Sequence, residues 1–275
     1  MDIHESQKKA FQKLADAGEL SHSYLFYGDE GVGKRTFARS LAYFLERGVF
    51  EDAGKALSDA QILGPSDDPE TISMRPVGAP APEWDVDANL EIRIDAIRDL
   101  EKVLWQTPIG SPKKIVIIED AHLLNEKAQS ALLKIVEEPP IHALLLFVTH
   151  EPTVLLPPLI SRLSKIYFRR MSEKQLGEHL VHTKKISVNS AKKIARESFG
   201  RIGRAIRLLS GIEKGETLET RLREAIVALR ENGVAEGSTV LARLLDYEEA
   251  IARYQVNPKL QEKAVEYIQS KTRVQ

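Results

Sequence analysis

The stretch YLFYGDEGVGKRT, Tyr24 to Thr36, decides the fold. Its apolar half, Tyr24-Leu25-Phe26-Tyr27, predicts a short strand, and the pattern from Arg35 to about Glu46 predicts an amphipathic helix. Between them stand Gly28, Gly31 and Gly33, followed by Lys34. Strand, glycine loop and helix together turn backbone N–H groups toward phosphates. The glycines allow backbone angles and close approaches that a side chain would block, and Lys34 is spaced to reach the outer phosphates of a nucleotide. We therefore expect a nucleotide, ATP or ADP, against Gly28, Gly31, Gly33, Lys34, Arg35 and Thr36.

Residue 35 departs from the pattern. A Ser or Thr there normally offers its hydroxyl oxygen to the magnesium ion that bridges the terminal phosphates. Arginine has five donors and no acceptor, so Arg35 cannot be a metal ligand. Thr36 does not readily take over, because the next residue along a helix points about 100° away. The expectation is nucleotide binding with magnesium weakly held or absent, and no metal ligands assigned.

The chain has 275 residues, 43% of them apolar, enough for about two domains or for one compact domain with small helical additions. Lys plus Arg is 39 against 40 Asp plus Glu, so no global basic field draws it to nucleic acid or to an anionic membrane. It has no cysteine, which removes disulfides, thiolate zinc sites and cysteine nucleophiles. The start, MDIHESQKKAFQK, lacks the apolar core of a signal peptide, and no run is long enough to span a bilayer, so a cytoplasmic protein is expected.

Residues Ile3 to Ala17 read as a first amphipathic helix. A proline-bearing, charged segment from Phe50 to Asn89 reads as an insertion, with Glu70 to Val77 supplying a short strand. Asp95 opens a helix whose Ile97, Leu100, Val103 and Leu104 share one face and which closes before Pro108. Ile115 to Ile118 is an unbroken β-branched run suited to a parallel strand buried on both faces. Asn125 caps the next helix, striped by Ala128, Ala131, Leu132 and Ile135 and stopped by Pro139-Pro140. Leu144 to Thr149 and Ile166 to Phe168 read as further strands. This alternation implies a parallel α/β sheet with right-handed crossovers.

After Phe168 the pattern is helical only. Ser172 with Gln175 makes a capping box, Ser187 caps a second helix, and Ala205, Ile206, Leu208 and Leu209 belong to a third. This segment is rich in cations, among them Arg169, Arg170, Lys184, Lys185, Lys192, Lys193, Arg196, Arg201, Arg204 and Arg207. They form either a solvated face or a patch for nucleic acid. Beyond Glu216 about three more helices follow, one striped by Leu218, Leu222, Ala225, Ile226 and Leu229, another opened by Asn257-Pro258.

The Ile115–Ile118 strand ends in Glu119-Asp120, at the carboxyl edge of the sheet where open α/β folds bind ligands. Nucleotide hydrolases place a carboxylate pair there to order magnesium and polarise water, in the order Asp then Glu. Here the order is reversed, and a misplacement near an ångström costs about 100-fold in rate. Arg162 follows a Pro-rich turn at the domain's edge, where an arginine is either a surface ion pair or a stabiliser of phosphoryl charge held by another subunit.

Three segments in combination resemble the clamp-loader branch of the AAA+ ATPases, and within it the delta prime type of subunit: HSYLFYGDEGVGKRT (His22–Thr36), KIVIIEDAHLLNEKAQSALLKIVEEPP (Lys114–Pro140) and LLPPLISRL (Leu155–Leu163). The resemblance spans about Gln7 to Leu209. It implies a RecA-like P-loop domain over residues 1–168, a small helical lid over 169–211 and a helical collar over 212–275 that joins a hetero-oligomeric ring. It implies that Arg162 is a finger given in trans to a gamma/tau-type ATPase, that Thr149 and His150 fall at the first sensor, and that Gly203 takes the second sensor arginine's place beside Arg204 in GRIGRAIRLL (Gly200–Leu209). Its partners would include a delta-type subunit, the sliding clamp and primed DNA. Three features depart from the family: no cysteine or histidine lies between Phe50 and Asn89, so its four-cysteine zinc module is not expected; the collar is short; and Leu163 stands where cysteine is frequent.

Two functional classes compete with an arginine-donating assembly subunit. One is a working AAA+ ATPase of a clamp loader or of a DNA-repair or recombination machine, with Glu119 and Asp120 catalytic and Thr36 turned toward the metal. The other is a nucleic-acid-binding module using the basic lid. A small-molecule kinase fits poorly, because nothing resembles an acceptor site.

Overall fold

The computed structural model describes residues 4–50, 56–65, 72–78 and 90–210. Two compact units divide the chain, Met1–Leu209 and Ser210–Gln275. The expected collar helices and the cap at Asn257 lie outside the described residues.

The elements run α1 (Glu5–Asp16), β1 (Ser23–Tyr27), α2 (Lys34–Arg47), β2 (Ala60–Pro65), β3 (Ile72–Pro76), α3 (Ile94–Leu104), β4 (Lys114–Ile118), α4 (Glu126–Glu137), β5 (Ala143–Thr149), α5 (Pro157–Arg162), β6 (Ser164–Tyr167), α6 (Glu173–Lys184), α7 (Val188–Glu197) and α8 (Ile202–Ser210). Six strands form one sheet in the order β3-β2-β4-β5-β1-β6. All neighbours are parallel except β2 and β3, a hairpin at one edge.

Alternation along the strands builds a core on each face of the sheet. Tyr24 and Phe26 of β1, Ile115 and Ile117 of β4, and Leu144 and Leu146 of β5 pack with Phe11 of α1 and Phe37 and Leu41 of α2. Leu25, Val116, Ile118, Leu145 and Phe147 point the other way, onto Ile97 and Leu100 of α3 and Leu132 and Ile135 of α4. The first face is aromatic: Phe26 meets Phe11, Phe37 and Phe168 at centroid separations of 5.7, 5.6 and 5.2 Å. Tilted and edge-on rings at this range add about 0.5–1.5 kcal/mol per pair beyond the area they bury.

The reading of Phe50–Asn89 as an insertion is corrected. Ala60–Pro65 is a parallel strand inside the sheet, paired with β4 from Ala60↔Ile115 to Leu63↔Ile118. Its outer partner β3 is the short strand expected within Glu70–Val77. Asp59, fully buried, anchors the start of β2. Lys114 Nζ donates to its Oδ1 at 3.1 Å, while the N–H groups of Ile109, Gly110 and Ser111 donate to Oδ2 at 2.8, 2.6 and 3.0 Å.

The caps form where expected. Ala128 N–H donates to Asn125 Oδ1 at 2.9 Å, and Ser190 N–H to Ser187 Oγ at 3.2 Å. Ser172 and Gln175 close a reciprocal capping box. Helices α6 to α8 share a small core of Leu176, Leu180, Ala191, Ala195, Ile202 and Ala205.

Candidate functional site

The carboxyl ends of β1, β4 and β5 lie side by side, so the loops that leave them meet. Gly31 and Gly33 adopt left-handed backbone angles, φ 73° and 96°, and α2 starts at Lys34. Lys34 is buried and turns back on its own loop, donating to the carbonyl oxygens of Gly28 at 2.7 Å and Asp29 at 2.5 Å. Burial lowers its pKa from 10.5 to about 8, with Asp29, Glu30 and Asp120 opposing that shift. A cleft of about 500 Å3 opens above the loop, lined by Gly31, Gly33, Lys34, Arg35 and Thr36, and by Thr149 and His150 at the end of β5. Lys8, Lys184 and Arg207 add positive charge to its walls, and His4, Leu180 and Ile206 an apolar or aromatic surface. A groove of this size, lined by cations and by apolar groups, suits a nucleoside phosphate.

Gly28 stands apart from this lining. Its φ is 135°, and a Cβ there would lie 2.2 Å from the carbonyl oxygen of Phe168, so the glycine serves the junction with β6 rather than the cleft.

The acidic pair is occupied by arginines. Glu119, 1% exposed, receives Nε and Nη2 of Arg39 on one oxygen at 3.0 and 2.7 Å and Arg75 Nη2 on the other at 3.1 Å. Arg35 Nε stands 3.7 Å from Glu119, and its Nη2 donates to Asp120 Oδ2 at 2.5 Å. Glu119 is therefore a buried ion-pair partner rather than a solvated strand end. Arg35 puts a fixed positive charge beside the carboxylate that would otherwise order magnesium. Burial works against its charge, but Glu119 and Asp120 outweigh that and raise its pKa. Both oxygens of Glu119 are thus engaged by arginines.

Several contacts were hidden from sequence reasoning. Arg39 has a local signal, since Arg35 and Arg39 are four apart on one face of α2. Arg75 comes from β3 and has none. The structure also gathers Asp120, His122 and His150, whose ligand atoms lie within 4.8 Å of one another, although no metal ligands were expected.

The α6–α8 segment reaches the loop directly. Gly203 N–H donates to the Gly31 carbonyl at 2.8 Å, and a Cβ on Gly203 would lie 3.0 Å from Gly31 Cα. Backbone contact this close explains the glycine at position 203. Arg170 Nε donates to Asp29 Oδ2 at 2.6 Å, a second lid-to-loop tie. The Arg204 guanidinium lies 5.4 Å from the Phe199 ring centroid, and Arg207, one turn after Gly203, lines the cleft. Among these cations, Lys184 and Arg207 line the cleft, Arg170 pairs with Asp29 and Lys193 with Glu197.

Arg162 is at the far end of the sheet. Ser23 Oγ, at the amino end of β1, donates to its carbonyl at 3.4 Å, and β6, which runs parallel to β1, begins just after it. The length of β1, about 13 Å, separates it from the glycine loop. Its guanidinium, 40% exposed, pairs with Glu137 at 2.6 Å.

A family model described as DNA polymerase III, delta subunit matches residues 3–172, more than half of the chain. The chain belongs to this family. Among curated relatives, the DNA polymerase III subunit delta' of Pseudomonas aeruginosa is 33% identical over 163 residues, covering 58% of this chain and 47% of that protein. The gamma/tau subunit of Mycobacterium tuberculosis H37Rv is 35% identical over 161 residues, 56% of this chain and 25% of its own. The tau subunit of Escherichia coli is 29% identical over 220 residues, 80% and 30%. The chain thus spans less than half the length of these relatives. Among solved structures, an alanine-to-serine mutant of Thermotoga maritima RuvB superposes with TM-score 0.51 at 18% identity, over 91% of this chain and 70% of that one. The T. maritima RuvB Holliday junction branch migration motor gives 0.50 at 20%, over 82% and 64%. At such identities the likeness concerns the fold, which is the mostly parallel α/β sheet of the AAA+ proteins.

Proposed function

We propose that the chain is a clamp-loader subunit of delta prime type in DNA replication, with little or no ATPase of its own, that supplies Arg162 in trans to a neighbouring gamma/tau-type ATPase. The observation that carries this is the contrast within one domain. Asp120 and Glu119 are held by Arg35, Arg39 and Arg75, while Arg162 stands exposed at the opposite end of the sheet, out of reach of its own cleft. A site at one end and a finger at the other suit head-to-tail association, in which each interface joins two different surfaces. In this reading the P-loop domain (1–168), lid (169–211) and collar (212–275) act in a cytoplasmic hetero-oligomer with gamma/tau and delta subunits, loading a sliding clamp on primed DNA. ADP or ATP occupies the cleft through Gly31, Gly33, Lys34, Thr36 and Thr149 with little dependence on magnesium.

The test is reconstitution with the partner ATPase subunits. Arg162→Ala lowers the complex's ATP turnover by about 1000-fold at the one site it completes, while gel filtration shows assembly intact. Unchanged turnover would remove the finger from the proposal.

A second reading, a working ATPase of a clamp loader or a repair or recombination complex, is favoured by the glycine loop and the open cleft. Magnesium-dependent turnover by the isolated chain, abolished by Lys34→Ala, would establish it.

A further inference from the structure

Asp120, His122 and His150 come from the ends of the two adjacent strands β4 and β5, and each plays no part in the finger. Asp120 sits in the left-handed region, φ 54°, which a side chain adopts only at a cost. The rings of His122 and His150 meet edge to face at a centroid separation of 4.3 Å. His122 Nδ1 is buried and makes no hydrogen bond. A buried ring nitrogen without a partner is unusual enough to ask what it is for.

We propose that Asp120, His122 and His150 form a binding site for one divalent transition-metal ion of the zinc, cobalt or nickel class. It is distinct in ligand chemistry from the all-oxygen magnesium site of a nucleotide hydrolase.

Two imidazoles and one carboxylate are the donor set of open three-ligand zinc sites, whereas magnesium prefers oxygen throughout and keeps its waters. Donors on a tetrahedral ion at about 2.0–2.1 Å stand roughly 3.4 Å apart. The three donor atoms already lie within 4.8 Å of one another, so side-chain rotation of about an ångström closes the set. Arg35 holds Asp120 through Oδ2, leaving Oδ1 for the ion. The groups facing the cluster include one further acid, Glu151, whose Oε1 stands 3.5 Å from His150 Nε2 and offsets the positive charge of Arg35. Asp120 and His150 both line the cleft, so the ion's open positions face water or a phosphate oxygen. The ion would thus enter where the hydroxyl normally at position 35 is missing, without restoring the order of Glu119 and Asp120. The inference does not depend on the finger role of Arg162.

The probes are zinc and cobalt ions titrated into the full chain without nucleotide. One ion per chain is expected, with the intense visible spectrum of four- or five-coordinate cobalt, and a large excess of magnesium leaves it in place. His122→Ala and His150→Asn each lower the affinity by at least about tenfold, the smaller effect typical of outer-shell changes. His142→Ala, away from the cluster, leaves affinity and spectrum unchanged. A weak spectrum like that of hydrated cobalt, or equal affinity in wild type and both cluster variants, overturns the site. Should His122→Ala fail to fold, the wild-type spectrum and His150→Asn decide alone.

Discussion

At position 34 a lysine that is buried and pre-bonded to its own loop has consequences that can be titrated. Its pKa of about 8 lies well below 10.5 because burial disfavours the charged form. A phosphate needs that charge. Below pH 8 Lys34 already carries its proton, and nucleotide affinity should not vary with pH through this group. Above pH 8 binding must take up a proton, so calorimetry should show ADP affinity falling about tenfold per pH unit, with proton uptake measurable from the buffer dependence of the heat. A flat profile to pH 9.5 would mean that Lys34 does not meet the phosphate. Position 35 gives a second handle. Arg35→Thr removes a half-exposed ion pair, at a cost of about 1 kcal/mol or less, and returns both a hydroxyl and a free Asp120. ADP should bind wild type equally well with and without magnesium, and the variant more tightly with it. No gain in the variant would place the defect elsewhere, with Glu119, held by Arg39 and Arg75, the next suspect.

At the scale of elements, the bond from Gly203 to Gly31 ties α8 to the phosphate loop without any side chain. Gly203→Ala forces a methyl to within 3.0 Å of Gly31 Cα. One neighbour must give, and hydrogen exchange should show the amides of Gly31 to Lys34 opening faster, by about fivefold to tenfold for roughly 1 kcal/mol of lost local stability. Unchanged protection would mean the lid is held by Arg170 and Asp29 alone. Which elements could be read from the chain follows from how local their causes are. β1, β4 and β5 announce themselves through apolar runs, and the caps at Asn125, Ser172 and Ser187 through residues three apart. β2 did not, because AQILGP is short, ends in Gly and Pro, and sits among charged and proline-bearing neighbours that read as loop. Its strand character comes from pairing with β4, which lies about fifty residues later. The glycine loop and Arg35 were legible for the same local reason. The grip of Arg75 on Glu119 and the meeting of His150 with His122 were not, since only the closed sheet brings those residues together.

For the whole molecule, the separation of the cleft from Arg162, the proposed finger, makes a prediction that neither end makes alone. The same Arg162→Ala change should leave ADP binding by the isolated chain untouched, because the arginine is a strand's length from the cleft, and should act only when a neighbour's nucleotide is present. Weakened ADP binding in the isolated chain would show that the two ends communicate through the sheet. The sheet's borders carry a further consequence. One margin is β6, four residues with Lys165 exposed, and the other is β3, a five-residue antiparallel return. Short, charged margins give a stray strand little backbone to zip onto. If the chain sits among similar chains, as proposed above, it can therefore be crowded without seeding fibres, its contacts left to faces and side chains that can be undone.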